Sequence, residues 1–376
     1  MITHPYTPGM PEASEPSPTP ARAATVRDVA ARAGVSSATV SRVLTGNRPV
    51  SAEVRRRVRK AIQELDYVVN EQARSLSVAN SRTVAILLAD ITWPFHNQVA
   101  RGVEQEAVAE DRLCLVCTTM DDPDREMALI EMLRQRNTEA VVLIGGVHDS
   151  PEYRTRIGRL AQALDGAGSR LVFCGRPTPD PALPITVVEY DNEGGAFAAV
   201  CHLLSLGHRR IAFLGGPPSY TTTTPRLAGY RRALLDFGVE PDPALVRHSR
   251  LGGEPTRQFG YRTVQELTER GPLPFTALFC YDDLVAAGAM AALREAGVDV
   301  PGDISVVGYN DEPTALDVVP SLTTVHVPHL ELGRTAMRLA LHRDDPMTMA
   351  MRQNAVLGTH LVVRGTVQRP AGPERK

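Results

Sequence analysis

Residues 82–369 alternate between short apolar runs and longer amphipathic segments, and this alternation constrains the fold more than any other feature of the chain. The strand-like runs are 84–89, 113–117, 140–144, 171–174, 185–188, 211–214, 277–280 and 304–307. Helix-like stretches lie between them, for example 95–110, 124–136, 194–206, 227–237 and 284–296. Such β-α alternation predicts parallel sheets that are covered by helices on both faces. It leaves open whether the eight strands form one large sheet, a barrel or two smaller sheets.

Polar and aromatic side chains follow these strands, where open α/β sheets bind their ligands. The segments concerned are 90–95, 145–148, 175–176, 191, 215–220, 282 and 309–311. We expect Trp93 and Phe95 to stack on a sugar or base ring. Arg226, Asp282 and Asn310 can hydrogen-bond hydroxyls or a carboxylate. Two structural alternatives stay open, namely that the aromatic pair belongs to the core and that Asp282 only caps a helix.

Arg176 and Asp191 complete the set of candidate ligand contacts. Both follow predicted strands, so the same rule on strand ends applies to them. Asp191 has the same structural alternative as Asp282, a helix cap.

Catalytic and metal-binding signals are weak in this region. Glycine pairs at 145–146 and 215–216 follow strands, but neither belongs to a G-x-G-x-x-G or P-loop motif. A G-x-S-x-G nucleophile motif is also missing. His326 and His329 are separated by a proline, and nothing nearby in the sequence completes a metal site. We therefore predict no catalytic residue, no metal, no cofactor and no enzymatic activity.

Three short helices are predicted between residues 25 and 67. Thr25 and Asp28 form a capping-box pattern at the start of the first helix. Gly34 can take a positive φ and end that helix. Ser36 and Ser51 are suited to cap the second and third helices. Two helices joined by a glycine turn, with a third covering them, predict a helix-turn-helix domain.

The second of these helices is suited to the major groove of DNA, where base edges can be distinguished. Its outward positions are Ser37, Ala38, Ser41 and Arg42. Arg42 is long enough to reach a guanine edge. Thr25, Ser36 and the cationic cluster at 55–60 are better placed for phosphates, which position a domain without reading sequence.

Charge supports this division of the chain. Residues 22–76 hold 11 Arg and Lys against 5 Asp and Glu, a net of +6, although the whole chain has a net charge of −2. A basic segment before an acidic body predicts a nucleic-acid-binding head.

Residues 1–24 contain six prolines and predict a disordered arm. The sequence shows neither a signal segment nor an apolar run long enough to span a membrane, so we expect a cytoplasmic, nucleoid-associated protein.

The motifs resemble those of the LacI/GalR family of bacterial transcriptional regulators. AGVSSATVSRVL (33–44) and VSAEVRRRVRKAIQELDY (50–67) resemble the family's helix-turn-helix. TVAILLADITWPF (83–95) resembles the first strand and ligand loop of its periplasmic-binding-protein-like core. Matches to later core motifs are DNEGGAFAAVCHLLSLGHRRIAFLGG (191–216), RLAGYRRAL (226–234), DISVVGYND (303–311) and PSLTTVHVP (320–328). The resemblance covers almost the whole chain after residue 24.

This resemblance implies a homodimer that binds a pseudo-palindromic DNA operator through two heads. It also implies a hinge helix at about 70–78, in which Leu76 matches the leucine that the family wedges into the minor groove, kinking the duplex. Val69 stands where the family usually has proline. The predicted DNA contacts are Thr25, Ser36, Ser37, Ala38, Thr39, Ser41, Arg42, Ser51, Asn70, Ala73 and Leu76.

The implied domains are the arm (1–24), the head (25–68), the hinge and linker (69–81) and the core (82–376). Lobe 1 of the core takes about 82–189 and 327–353, and lobe 2 about 190–326 and 354–369. The chain would cross between lobes near Tyr190, near His326 and at 352–356. The chain stops soon after its last strand, 361–363, without a heptad helix, so a dimer is expected rather than a tetramer.

The resemblance places a small-molecule effector, a sugar or related metabolite, between the lobes. Arg226 matches an arginine that contacts sugar hydroxyls, and Asp282 matches a polar contact position. Asn310, Gly175 and Pro255 replace two aspartates and an aromatic residue usual in the family. We therefore expect a pocket less acidic and less aromatic than a typical sugar site.

Effector binding would change lobe closure and thereby DNA affinity, with release from DNA as the expected sign. Two other functions are compatible with the sequence. One is a regulator whose pocket is vestigial or serves a protein partner, and the other is a solute-binding protein, since the core alone resembles one.

Overall fold

The computed structural model describes residues 24–45, 49–67, 81–250, 256–342 and 354–370. The chain divides into two compact units between Ser77 and Val78, and each is described by itself. Residues 1–23 of the predicted arm, the predicted hinge helix with Asn70, Ala73 and Leu76, and Pro255 lie outside the described residues.

The described residues of the first unit form three helices that share a small apolar core. They are α1 (Val26–Ala33), α2 (Ser37–Thr45) and α3 (Ala52–Glu64). Gly34 ends α1 with a φ of +63°, a left-handed conformation that glycine adopts without steric cost. Val29, Val40 and Val58, one from each helix, are fully buried together. The predicted helix-turn-helix arrangement is therefore confirmed.

The second unit contains a six-stranded parallel sheet, which forms lobe 1. Its strands are β1 (Ser81–Leu88), β2 (Leu113–Thr118), β3 (Thr138–Ile144), β4 (Arg170–Cys174), β5 (Ile185–Tyr190) and β11 (Asn354–Leu357). They lie in the order β11-β5-β4-β3-β1-β2. The central strand β3 is buried on both faces, as its continuous apolar sequence requires.

Lobe 2 is built on a four-stranded parallel sheet. Its strands are β6 (Ile211–Gly215), β7 (Val246–His248), β8 (Ala277–Cys280) and β9 (Ser305–Val307), in the order β7-β6-β8-β9. A short antiparallel pair joins β10 (Thr324–His326) to β12 (His360–Val362). The predicted α/β class is therefore confirmed, and of the three arrangements left open the described strands form separate sheets.

Helices cover both sheets. They are α4 (Pro94–Ala109), α5 (Pro123–Gln135), α6 (Pro151–Gly166), α7 (Asn192–Ser205), α8 (Thr223–Asp236), α9 (Thr256–Glu269), α10 (Asp283–Glu295), α11 (Thr314–Asp317) and α12 (His329–Leu341). The close packing of α4 on α12 depends on two glycines. A Cβ added to Gly102 would lie 2.2 Å from the carbonyl oxygen of Leu330, and one added to Gly333 would lie 2.1 Å from that of Val99. None of the described helices has the length and apolar composition needed to cross a membrane.

One boundary of the predicted lobes needs correction. We assigned 354–369 to lobe 2, but Asn354–Leu357 forms the edge strand β11, which pairs in parallel with β5 in lobe 1. Edge strands of this kind are short and half-exposed, so their sequence does not show which sheet they join. The last crossing therefore follows Leu357, later than the predicted 352–356. The first crossing follows Tyr190 at the end of β5, and the second lies between β10 and α12.

Candidate DNA-binding surface and ligand cleft

The outer face of α2 is exposed and carries short side chains around one long cation. Ser37, Ala38, Ser41 and Arg42 are exposed, and Thr39 is half-buried. Val40, which points inward, is fully buried. The helix therefore presents the side chains that the sequence predicts for groove contact.

The predicted phosphate contacts Thr25, Ser36 and Ser51 stand at the N-termini of the three helices of the head. The hydroxyl of Ser36 accepts a hydrogen bond from the backbone N–H of Thr39 at 3.2 Å. Thr25 and Ser51 accept equivalent bonds at 3.4 Å. Their side chains thus have a structural role as caps, at the helix ends where N–H groups favour a nearby anion.

The cationic cluster at 55–60 is only partly available to DNA. Arg57 turns toward the end of α1, where its Nε donates to the carbonyl oxygen of Ala33 at 3.0 Å and its Nη2 to that of Gly34 at 2.9 Å. Lys60 lies 3.7 Å from Glu64. The other members, Arg55, Arg56 and Arg59, are exposed. Arg57 is exposed as well, and its bonds hold the turn of the helix-turn-helix. The prediction that the whole cluster serves phosphates stays a prediction.

Five of the seven predicted ligand contacts come together in one cleft in the second unit. They are Trp93, Phe95, Arg226, Asp282 and Asn310. The cleft lies at the carboxyl ends of strands from both lobes. Its further lining residues are His96, Gly145, Gly146, Tyr190, Tyr220, Thr222, Tyr281, Leu284 and Glu312.

Arg226 on α8 is the buried cation of this cleft. Its Nε donates to Oδ1 of Asn192 at 2.8 Å, and its Nη2 donates to the hydroxyl of Tyr190 at 3.1 Å and to Oδ1 of Asn310 at 3.3 Å. Nη1 donates to the carbonyl oxygen of Tyr281. Its guanidinium also stacks on aromatic rings, 3.7 Å from the ring centre of Tyr309 and 4.7 Å from that of Tyr281. These contacts hold the planar group in one orientation.

Carboxyl groups surround this arginine. Asn310 Nδ2 donates to Oε1 of Glu312 at 3.0 Å, and the backbone N–H of Glu312 donates to Oδ2 of Asp283 at 2.7 Å. Asp282 caps α10 by accepting from the N–H of Val285 at 2.7 Å. It also lines the cleft, so the cap and the ligand contact are compatible roles for this residue.

The cleft wall combines carboxyl groups with aromatic rings, and the expectation that it is less acidic and less aromatic than a typical sugar site stays a prediction. Asp282 and Glu312 are both at least nine-tenths buried in the cleft wall. Trp93, Phe95, Tyr190, Tyr220 and Tyr281 contribute aromatic rings to it. Of these residues, Trp93, Phe95 and Asp282 are predicted from the sequence, whereas Glu312, Tyr190 and Tyr281 are not.

Burial shifts the titration of the cleft side chains. It raises the pKa of Asp282 to about 6, against opposing effects of the Val285 N–H and Arg226. It raises the pKa of Glu312 well above the ordinary glutamate value, reinforced by Asp282 and Asp283. It lowers the pKa of His96 to about 4, so this imidazole is neutral near pH 7.

The two aromatic side chains predicted to stack on a ligand have different surroundings. Trp93 is half-buried and stacks on His96 at a centroid distance of 5.1 Å. Phe95 is buried and meets His329 edge to face at 5.2 Å and Tyr190 at 5.8 Å. Phe95 therefore belongs to the core beneath the cleft as well as to its lining.

Arg176 and Asp191 are not brought into this cleft. Arg176 is buried in lobe 1, where its Nη1 lies 3.2 Å from Glu126 and 2.9 Å from the hydroxyl of Tyr153. Asp191 is exposed, and its Oδ1 accepts from the N–H of Gly194 at 2.7 Å, so it caps α7. In the structure Asp191 is therefore a helix cap, which is the structural alternative given for it in the sequence analysis.

Arg176 lines a second cavity that adjoins the cleft. The two share Gly146 and Tyr220 in their walls. The hydroxyl of Tyr220 donates to Oδ1 of Asp121 at 3.0 Å, from lobe 2 to lobe 1. Tyr220 therefore separates the two spaces and contacts both lobes.

Sequence reasoning missed Glu312, Tyr190 and Tyr281 as cleft residues. A positional signal existed for Glu312 and Tyr281. Glu312 follows directly after the strand-end segment 309–311, and Tyr281 directly before Asp282. Tyr190 was noted only as a crossing point between lobes.

A helix-turn-helix unit together with a two-lobed parallel α/β core defines a class of protein, the transcriptional regulators with a periplasmic-binding-protein-like core. Two family profiles match the chain: "Bacterial regulatory proteins, lacI family" over residues 25–70 and "Periplasmic binding protein-like domain" over residues 200–367.

Full-length relatives give the same result. The regulator CelR of Thermobifida fusca is 36% identical over 348 residues, which cover 91% of this chain and 98% of CelR. The repressor CytR of Escherichia coli K12 is 31% identical over 349 residues, covering 92% and 97%. Both relatives are transcription regulators rather than enzymes. This chain therefore belongs to the LacI family, and it is a DNA-binding transcriptional regulator.

Solved structures of the family match the fold. A CelR–cellobiose complex superposes with a TM-score of 0.66 at 33% identity, covering 92% of this chain and all of that chain. A lac repressor dimer bound to operator and the anti-inducer ONPF superposes with a TM-score of 0.76 at 26% identity, with the same coverage.

Proposed function

We propose that this regulator is a repressor that binds a palindromic operator as a homodimer and responds to a small-molecule effector held in the cleft. The observation that carries the proposal is the cleft itself, in which Arg226 of lobe 2 is hydrogen-bonded to Tyr190 at the end of a lobe 1 strand. A ligand seated there contacts both lobes at once.

The DNA-binding part of the proposal rests on α2. Its exposed face carries Ser37, Ala38 and Ser41, which are too short for extensive base contacts, and Arg42, which can bond a guanine edge bidentately. We infer that much of the operator preference comes from Arg42, from the hinge around Leu76 and from DNA shape. The lac repressor structure with operator shows a dimer, and a dimer of this chain would place two heads on two half-sites.

The control of DNA binding rests on the position of the cleft between the lobes. An effector that binds a closed arrangement better than an open one shifts the population toward closure. Closure moves the lobes relative to each other, and the hinge helices of a dimer then separate or approach. A coupling free energy of about 1–3 kcal/mol changes operator affinity about 5–150-fold.

The ligand class proposed is a sugar or related metabolite, because aromatic rings flank polar groups in the cleft. We propose no catalytic role for these residues. Since operator DNA is the partner, we propose that the protein acts in the cytoplasm.

A second candidate is a regulator whose cleft no longer binds an effector. The observation that favours it is the pairing of Arg226, whose Nε, Nη1 and Nη2 all donate to protein groups. An arginine so engaged would have to exchange partners before it bonds a sugar hydroxyl.

Capture of genomic fragments tests the proposal. Purified protein is incubated with fragments of its own genome at about 0.15 M salt, where purely electrostatic binding is weakened. We expect retention of a few fragments that share a palindrome, and loss of that selectivity in Arg42→Ala. Release of these fragments by a sugar or related metabolite supports effector control. Selective retention that no metabolite changes favours the second candidate, and uniform retention contradicts both.

A further inference from the structure

Glu312 is a buried carboxyl group with an unused oxygen in the wall of the cleft. Its side chain is 3% exposed. Oε1 accepts from Asn310 Nδ2 at 3.0 Å, whereas Oε2 has no hydrogen-bond partner among the described residues. A buried acceptor without a donor is costly. The cleft onto which Glu312 opens can supply that donor through a ligand.

Other carboxyl groups lie close to Glu312. Asp282 lines the cleft beside it, and Asp283 accepts from its backbone N–H. Arg226 is the buried cation of the cleft, and its hydrogen-bonded path to Glu312 runs through Asn310. The nearby Asp311 is paired elsewhere, with Arg364 at 2.5 Å and His326 at 2.9 Å.

The nearby histidines add no positive charge to the cleft. His96 in the cleft wall and His329 behind Phe95 are both buried, and burial lowers the pKa of each to about 4. Both are therefore neutral near pH 7. Burial also raises the pKa of Asp283 to about 8, so this carboxyl retains its proton near pH 7. The carboxyl groups that line the cleft are Glu312 and Asp282, and a ligand that brings an ammonium group supplies the hydrogen-bond donor that Oε2 of Glu312 lacks.

The aromatic lining favours the same ligand chemistry. Trp93, Tyr220 and Tyr281 line the cleft and are each half-buried, so part of each side chain remains accessible. Aromatic faces attract cations and also cover the apolar face of a ring. Carboxyl groups combined with aromatic walls suit a ring that carries an ammonium group.

We propose that the effector of this regulator is an amine-bearing sugar or cyclitol whose ammonium group is bound by Glu312, with Asp282 as the neighbouring carboxyl. This inference rests on the proposed function, since it names the ligand class of the same cleft. The ammonium donates to Oε2 of Glu312, and the sugar ring lies against the aromatic walls.

Two other ligand classes fit less well. A phosphorylated or carboxylated metabolite would place negative charge beside Asp282 and Glu312, while the hydrogen bonds of Arg226 are already directed at Asn192, Tyr190 and Tyr281. A neutral sugar can donate one hydroxyl to Glu312, but it brings no positive charge. An ammonium group donates a hydrogen bond to the unpartnered Oε2 of Glu312 and also brings a positive charge to the carboxyl groups.

Proton release on binding is a direct consequence. In the ligand-free cleft, burial and the neighbouring Asp282 and Asp283 raise the pKa of Glu312, so its carboxyl retains a proton at mildly acidic pH. An arriving ammonium favours the carboxylate and lowers that pKa. The proton leaves to solvent as the ion pair forms, whereas a neutral sugar releases none.

Calorimetry of the full-length protein with matched ligand pairs tests the inference. The pairs are glucosamine with glucose, galactosamine with galactose and mannosamine with mannose, at about pH 6, where an amine of this kind is charged. Each titration is run in two buffers that differ in ionisation enthalpy, which gives the number of protons released. The variants are Glu312→Gln, which keeps the size of the side chain, and Glu189→Gln as the matched control on a half-buried glutamate outside the cleft lining.

We expect at least one amino sugar to bind about tenfold or more tightly than its parent sugar, as for a hydrogen bond between charged groups. Binding of that amino sugar should also release protons from the protein to the buffer. Glu312→Gln should abolish both the preference and the proton release, and Glu189→Gln should preserve both.

Three results overturn the inference: equal or tighter binding of the parent sugar, an amine preference that survives in Glu312→Gln, or no binding of any amino sugar. Operator binding measured with the same compounds separates this failure from a wider one. If a parent sugar alone alters operator affinity, the proposed function stands and the amine assignment fails. If none of the six compounds binds or alters operator affinity, the amine assignment fails, and the genomic capture with a broader metabolite panel decides the proposed function.

Discussion

Nη2 of Arg226 donates a hydrogen bond of 3.1 Å to the hydroxyl of Tyr190, and this bond links the two lobes of the core. Arg226 lies on α8 beside the lobe 2 sheet, and Tyr190 is the last residue of β5 in lobe 1. The bond therefore lies where the chain first crosses between lobes. A change in lobe closure must preserve, stretch or exchange it.

Arg226→Lys is expected to uncouple effector binding from DNA binding. Lysine keeps the charge but lacks the planar fork, so Asn192 and the Tyr281 carbonyl lose a donor. We expect a loss of about 2–4 kcal/mol in the free energy of unfolding of the core, since each buried acceptor left unpaired costs about 1–3 kcal/mol. Urea unfolding measures the loss of stability. Operator binding with and without effector measures the uncoupling.

Tyr190→Phe is the matched control, because it removes the hydroxyl that accepts the inter-lobe bond and leaves the Arg226 guanidinium in place. We expect it to cost about 0.5–1.5 kcal/mol and to weaken the effector response partially. If Arg226→Lys responds to effector as the unaltered protein does, Arg226 has no part in the coupling.

The fold was predictable from the sequence as far as local pattern determines it. The apolar runs at 140–144 and 277–280 match the buried strands β3 and β8, because both faces of these strands are covered. The number of sheets was not predictable, since strand pairing is a long-range property. The edge strand Asn354–Leu357 was assigned to the wrong lobe for the same reason, because its pairing with β5 joins residues far apart in sequence.

The cleft was predictable where a strand end by itself indicates a ligand residue, as for Trp93 and Asn310. Asp282 was predicted by the same rule, but Glu312 was not. The two carboxyl groups are 30 positions apart in the chain and converge only in the fold. The strand-end rule stopped at residue 311, one position before Glu312.

Arg57→Ala is expected to destabilise the head. It removes the donors that Arg57 directs to the carbonyl oxygens of Ala33 and Gly34, at the end of α1. We expect a loss of about 1–3 kcal/mol, since bonds from a charged donor are stronger than neutral ones. Hydrogen–deuterium exchange of α1 in the full-length protein measures the effect as faster exchange.

Arg56→Ala is the control for this variant, because Arg56 is an exposed neighbour on the same helix. It should leave the exchange of α1 unchanged and reduce DNA affinity on all sequences alike. Equal exchange in the two variants would show that Arg57 does not hold the turn.

Arg42→Ala tests base recognition by α2. Arg42 is the long cation on the exposed face of this helix. We expect a loss of about 1–3 kcal/mol in operator binding and a relaxed preference at one base position. Binding to a library of operators with single base changes measures both. Equal losses on operator and random DNA would mean that Arg42 contacts phosphate instead.

Leu76→Ala tests the hinge that the family resemblance implies. A leucine wedged into the minor groove unstacks a base step and bends the duplex, and this matters only on the specific site. We expect operator affinity to fall more than non-specific affinity, with reduced bending measured by fluorescence energy transfer across the operator. Unchanged bending and affinity would exclude Leu76 as the wedge.

The pH dependence of stability should reveal the buried histidines beneath the cleft. His96 and His329 meet Phe95 at centroid distances of 5.9 and 5.2 Å, and burial lowers the pKa of both to about 4. In the unfolded chain their pKa returns to about 6.5. Between about pH 6.5 and pH 4 these two histidines bind more protons in the unfolded state than in the folded state, so their contribution to the free energy of unfolding falls as the pH falls. Asp282, Asp283 and Glu312 act in the opposite direction, because burial raises their pKa.

Each histidine can account for about 3 kcal/mol of that loss, since one pKa unit corresponds to about 1.4 kcal/mol. Urea unfolding at about pH 7, 6 and 5 measures the slope. His96→Gln should lose less stability than the unaltered protein as the pH falls from 7 to 5, because glutamine does not take up a proton on unfolding. His360→Gln, at an exposed histidine, should leave the slope unchanged. If the unaltered protein and His96→Gln lose stability in parallel between pH 7 and 5, the imidazole of His96 is not held neutral by burial, and the cleft has a positive charge that the amine assignment does not allow.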